Sequence, residues 1–186
     1  DDTVHEFRRA AESLAARGIA ADVLDARAVR DAEPQLTADV RAGLLIPSYG
    51  FVAAGELTRA LAVAAERAGA RWLPPQRVTR LSPLAGSGLR VDTDRGTLTA
   101  ATVVLAAGCW AGRIDIADVR TAVPVKPVRG QLLHLTWNGP PLRRVTWGDR
   151  CYLVPWDDGT VLVGATVEDV GFDERTTMAG VRGLID

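Results

Sequence analysis

A chain of 186 residues, 47% hydrophobic and 24% charged, can bury a core without disulfide staples and has none of the bias of disordered, collagenous or coiled-coil proteins. Lys and Arg total 22 against 23 Asp and Glu, Lys126 being the only lysine; a net charge of -1 argues against nucleic acid or an acidic membrane as partner. No apolar run is long enough to cross a bilayer, and the charged opening reads into a helix instead of a secretory signal. Cys109 and Cys151 have no Cys or His partner at metal-ligand spacing, so no metal site and a reducing, cytoplasmic compartment are expected.

Thr3-x-x-Glu6 has the form of a capping box, followed by Val4, Phe7, Ala11 and Leu14 at helical spacing and Arg17-Gly18 as a stop. A second helix is expected from an Asp25 N-cap to just before Pro34. A strand is expected over residues 42–46, leading into a turn at Pro47-Ser48-Tyr49-Gly50. The clearest helical pattern covers residues 56–68, with Leu57, Ala60, Leu61, Ala64 and Ala65 on its apolar side and Gly69 at its end. Residues 70–73 then read as a short strand, the order of an α/β unit. Residues 78–81, 89–93 and 97–99 form a small meander around Asp94-Arg95-Gly96. The run from Thr102 to Gly108 is apolar without alternation, the pattern of a parallel strand covered on both faces. Ligands of α/β sheets bind at the C-terminal edge of such strands.

After Pro124 the period changes to two. Gln131, Leu133, Leu135 and Trp137 alternate with Leu132, His134 and Thr136, which predicts an antiparallel strand. Residues 151–156 and 160–165 flank Asp157-Asp158-Gly159 as a hairpin, and Thr176 or Thr177 caps a final helix.

The dinucleotide, nucleophile-elbow, phosphate-loop and zincin motifs are all absent. His5 and His134 are isolated, and Asp157 and Asp158 read as turn formers. Three features stand above that background. Ala106-Ala107-Gly108 suits either a close-packed strand exit or contact with a cofactor. Arg129-Gly130-Gln131 opens a strand, with Arg129 either a surface charge or the partner of a nearby carboxylate. Tyr152, beside Cys151, is either a half-buried packing residue or a donor to a substrate carboxylate. Trp137, Trp147 and Trp156 fall in the sheet half, where a core or interdomain wall explains them better than a nucleic-acid platform.

The order Val103-Val104-Leu105-Ala106-Ala107-Gly108-x-Trp110, Pro124-Val125-Lys126-Pro127-Val128-Arg129-Gly130-Gln131, Tyr152-Leu153-Val154-Pro155, and Val163-Gly164-Ala165-Thr166-x-Glu168 resembles the FAD-dependent D-amino-acid oxidase family. It looks closest to the glycine oxidase branch that serves thiamine biosynthesis. Gly171-Phe172-Asp173 and Thr176-Thr177 continue the likeness, as does Gly50-x-Val52 before Leu57. Where the family has Asp-Pro this sequence has Ala53-Ala54, and Trp156 stands where Arg is common.

The resemblance implies a fold of α/β and α+β type: a partial FAD-binding, Rossmann-like domain interleaved with a mostly antiparallel substrate domain. The expected division is residues 1–50 on the substrate side, 51–117 in the FAD-binding part and 118–186 in the substrate-domain sheet. It further implies that Val78, Ala106, Ala107, Gly108 and Trp110 lie against the cofactor, that Tyr152 faces the amino-acid pocket, and that Arg129 and Gln131 form a structural motif. The implied chemistry is hydride transfer from the α-carbon of glycine, sarcosine or a small D-amino acid to flavin N5. The imine hydrolyses, and O2 reoxidises the flavin to give H2O2. Such chemistry needs alignment more than an acid/base pair, so no catalytic side chain is named. A homo-oligomer is left open by the resemblance, since family members often associate.

The likeness covers the middle of such an enzyme. The glycine-rich dinucleotide loop, the substrate-binding Arg and a second flavin-contacting loop are not among these residues, so this stretch alone is expected neither to hold FAD tightly nor to turn over. The competing expectations are a dehydrogenase with another electron acceptor and a non-catalytic binding or assembly module.

Overall fold

The computed structural model describes residues 2–118 and 123–185; the expected boundary at residue 118 adjoins residues 119–122, which lie outside them. The chain divides into two compact units. Unit 1 is Asp1–Ala53, Gly130–Thr166 and Thr176–Asp186, and unit 2 is Ala54–Arg129 and Val167–Arg175.

Unit 1 opens with helix α1 (Asp2–Ala15). Because the helix already includes Asp2, Thr3 lies within its first turn and does not cap it. Strand β1 (Asp22–Asp25), which carries no clear alternation in the sequence, pairs antiparallel with β2 (Ala42–Leu45) in the register Asp22↔Leu45 to Asp25↔Ala42. Between them Asp25 caps α2 (Ala26–Ala32) as expected, its Oδ1 accepting the Ala28 amide at 2.8 Å.

Unit 2 begins with α3 (Ala54–Arg67). Its helical pattern is as expected, but no residue of it is buried, and Leu57 and Leu61 are exposed. Strands β3 (Val78–Pro83), β4 (Leu89–Thr93), β5 (Gly96–Ala100) and β6 (Asp115–Ile116) form a sheet in the order β5-β4-β3-β6. The first three are the expected meander; β6 runs parallel to β3. Leu81 and Val91 are its buried residues. A 3-10 helix, Gly108–Arg113, precedes β6.

Two expected strands form no ladder among the described residues: 70–73 and 102–108. Among the described residues the run 102–108 pairs with no strand, and the sheet beside it ends at β5 on one edge and β6 on the other. Val104 is accordingly 83% exposed instead of covered.

The second part of unit 1 is an antiparallel sheet of β7 (Leu132–Thr136), β8 (Thr146–Trp147), β9 (Tyr152–Pro155) and β10 (Thr160–Gly164), in the order β7-β10-β9-β8. The β9–β10 hairpin turns where Asp157-Asp158-Gly159 predicts. Gly159 has φ +83°, and Asp158 Oδ1 accepts the Thr160 amide at 2.9 Å. Helix α4 (Met178–Ile185) follows, with Thr177 Oγ1 accepting the Gly180 amide at 3.2 Å.

Alternation sorts the two faces of this sheet. Val161 and Val163 join Leu142 and Leu184 in the core, with Leu133 and Leu153 packed against them. The opposite face carries Tyr152, Val154, Leu162 and Gly164. Aliphatic residues fill the core, and Trp137 and Trp147 are exposed outside it; Trp156 is half-buried and stacks on Phe51 with centroids 4.8 Å apart.

Glu33, just beyond α2, is 3% exposed. Its Oε2 accepts the amides of Arg143 at 2.6 Å and Arg144 at 3.1 Å, fastening the loop before β8. Glu33→Ala removes the charged acceptor that both amides share and is expected to cost about 2 kcal/mol, read as a lowered urea midpoint; an unchanged midpoint would contradict this role.

Candidate functional site

On the outer face of the unit 1 sheet, Tyr152 and Trp147 are register partners, and their rings stack with centroids 4.8 Å apart at 36°. On the other side of Tyr152 its partner is Gly164. A Cβ placed on Gly164 would come within 2.5 Å of the Tyr152 Oη. The missing side chain therefore lets the phenol lie across β10 while Trp147 backs it from β8. The result is a positioned donor on a largely apolar sheet, able to bind a carboxylate or carbonyl oxygen.

The other residues of interest are in unit 2. Val78 opens β3, half-buried. Ala106, Ala107, Gly108 and Trp110 run together, from the unpaired segment into the 3-10 helix. Gly108 has φ +52° with open space where a Cβ would point, and Trp110 is 54% exposed. Among the described residues, the amides of 103–107 donate to no backbone carbonyl, while Ala107 accepts the Trp110 amide at 3.0 Å. Small side chains beside free backbone donors suit a ligand rich in acceptor oxygens, as a dinucleotide is.

Arg129, which ends a unit 2 segment, is 11% exposed at its side chain. Its backbone exchanges two hydrogen bonds with Glu168, both 2.9 Å. Its Nη2 reaches Glu168 Oε2 at 2.6 Å, and its Nη1 donates to the carbonyls of Asp173 at 3.1 Å and Arg175 at 2.9 Å. Asp173 Oδ2 lies 3.4 Å away. Of the two readings open from sequence, the carboxylate partner is the one observed. Lys126 pairs with Asp169 in the same segment. Gln131, in unit 1 and buried, accepts the Thr177 amide at 2.7 Å and donates to Thr177 Oγ1 at 3.0 Å. Its backbone N–H also donates to Thr166 Oγ1 at 2.9 Å.

Sequence reasoning singled out neither Phe172 nor Arg113 for a role. The Arg113 guanidinium carbon lies 3.5 Å from the Phe172 ring centroid, and the Trp110 ring is 6.2 Å from the same ring. The Gly-Phe-Asp triplet was visible, but its partners are some sixty residues upstream and leave no local pattern.

Hydrogen bonds from the Arg175 side chain hold the Asp173 carboxyl well below the usual carboxylate range, with Arg175's amide and the Arg129 charge assisting. Asp158 is lowered chiefly by the Thr160 hydroxyl, which also meets His134 Nε2 at 2.5 Å. Among the described residues, no cluster of three or more His, Cys, Asp or Glu has a metal-holding arrangement. Nor is any helix among them long and apolar enough to cross a membrane.

A family model described as FAD dependent oxidoreductase matches residues 1–186. The chain belongs to this family. A glycine oxidase from Geobacillus kaustophilus is 37% identical over 155 residues, 82% of this chain and 41% of that protein. The bifunctional protein ThiO/ThiG of a Nostoc species is 34% identical over 166 residues, 87% of this chain and 24% of its own length. The crystal structure of glycine oxidase from Geobacillus kaustophilus matches with a TM-score of 0.89 at 31% identity, covering 100% of this chain and 50% of that one. The L-proline dehydrogenase of P. horikoshii gives the same TM-score at 22% identity, over 100% of this chain and 51% of its own, which shows a shared fold. The chain thus spans about half or less of the length of these relatives. It has their mixed architecture, a Rossmann-like helix and strand region with an antiparallel substrate-type sheet.

Because Asp173 titrates below its ordinary value of 3.8, its contribution is complete above the ordinary carboxyl range and is lost as pH falls through the depressed value. Arg175→Gln is expected to move that titration upward toward 3.8, followed by carboxyl NMR; an unmoved titration would contradict the pairing.

Proposed function

We propose that the full-length protein is an FAD-dependent oxidase of small amino acids or amines, with glycine, sarcosine or a small D-amino acid as substrate and O2 as acceptor. The observation that carries this reading is the match of the whole chain to glycine oxidase, at a TM-score of 0.89 and 31% identity. The named relatives support a glycine-like substrate, and the two cysteines, free in the structure, are in keeping with a reducing, cytoplasmic compartment.

In this proposal unit 2 is the cofactor side and unit 1 the substrate side, with residues 1–50 and 118–186 supplying most of the latter and 51–117 most of the former. Backbone donors of Ala106, Ala107 and Gly108 hold FAD, and Val78 and Trp110 supply further contacts to it. Bound FAD supplies the two-electron acceptor for the substrate Cα–H bond, and O2 carries those electrons away as H2O2. The Tyr152 phenol donates to the substrate carboxylate and so fixes which bond on the α-carbon is presented. Trp147 and Gly164 hold that phenol in place.

The test is the full-length protein, purified with its flavin and assayed for peroxide with glycine, sarcosine and D-alanine. Release of H2O2 with at least one of them is expected, and Tyr152→Phe should raise KM about tenfold with a smaller change in kcat. A flavin-free protein, or a flavoprotein that reduces only a non-oxygen acceptor, would overturn the oxidase reading; an unchanged KM would remove Tyr152 from the site.

A further inference from the structure

We propose that Arg129 is a positioning residue for the turn at Ala106–Trp110, acting through the ring of Phe172. The proposal rests on the reading above that this turn faces the cofactor, and it identifies what holds the turn in shape.

The turn has little of its own to hold it. Its 3-10 helix is six residues long, and Ala107, at the N-cap, offers no side-chain hydrogen bond. Of its side chains only Ala111 is buried. The brace comes from the segment Val167–Arg175, in which no helix or strand is described. Phe172 stands against the middle and the C-terminal end of the helix, with the Arg113 guanidinium over its face and the Trp110 ring beside it. A cation on an aromatic face is a directional contact, so the ring's place sets the places of residues 110 and 113.

Phe172 in turn is held by its neighbours in sequence. Asp173 gives both its carbonyl and its carboxylate to Arg129, Arg175 gives its carbonyl, and Glu168 gives its carboxylate. These acceptors bracket Phe172 from residue 168 to residue 175, and one guanidinium gathers them. The fork shape is what allows it: Nη1 and Nη2 serve different acceptors at the same time. A lysine would keep the charge but not the geometry. The relay therefore runs from Arg129 to the 168–175 segment, from there through Phe172 to Trp110 and Arg113, and so to Ala107 and Gly108.

Two variants of the full-length protein test it, Arg129→Lys and Phe172→Leu, the second leaving every Arg129 contact in place. The readouts are amide hydrogen exchange over residues 107–113 in the flavin-free form, and the Kd for FAD. Both variants should speed exchange over 107–113 and weaken FAD about tenfold, with exchange over β9 and β10 unchanged. Unchanged exchange over 107–113 in the Phe172→Leu protein would overturn the relay, whatever Arg129→Lys does. Faster exchange in both with an unaltered FAD Kd would uphold the relay and overturn the assignment of this turn to the cofactor.

Discussion

A guanidinium withdrawn from water must find acceptors, and Arg129 finds its acceptors 39 to 46 residues further along the chain. Removing such a charge from solvent is costly unless charge-assisted hydrogen bonds replace the lost hydration. Once Arg129 is placed at this depth, the backbone of 168–175 has to close around it, and only one guanidinium nitrogen, Nε, is left without a partner among the described residues. That requirement orders a segment that has no regular secondary structure to order it. Two residues on, Gln131 does the same in unit 1, its neutral side-chain amide holding Thr177 and its backbone N–H donating to Thr166 Oγ1 at one strand entrance. Arg129 and Gln131 thus stand beside the points where the chain leaves one unit for the other, each satisfied within its own unit.

The sheet of unit 1 shows a different economy. One face is aliphatic and closed by α4, with Val161, Val163 and Leu184 at its centre. The other bears the Trp147–Tyr152 pair and a glycine opposite the tyrosine. Period-two alternation makes such a division of labour available to any strand. Here the small residue at Gly164 is what turns a packing aromatic into a phenol lying along the surface.

Local rules were legible wherever a few neighbouring residues decide the outcome. The Asp25 cap, the Asp158-Gly159 hairpin, the Thr177 cap and the length of α3 could all be read from side-chain chemistry within one or two turns of chain. Strands β6 and β8 could not, because two residues carry no periodicity. The apolar run 102–108 forms no strand here for a related reason: burial on both faces needs layers packed above and below, and a pattern states a preference without supplying a partner. At the candidate site, the Ala-Ala-Gly turn and Tyr152 were visible through their family likeness. What holds them was not. Gly164 faces Tyr152 from another strand, and Phe172 faces Trp110 across about sixty residues, so neither pairing leaves a trace in local sequence. Arg129 was seen, but its partners were not.

The central claim is that the backbone of Ala106, Ala107 and Gly108 meets the cofactor. A crystal structure of the full-length protein with FAD bound measures this most directly. Donor-acceptor distances of about 3 Å from these amides to FAD oxygens are the expected result. FAD bound elsewhere, with the amides of residues 106–108 paired to protein carbonyls, would contradict it.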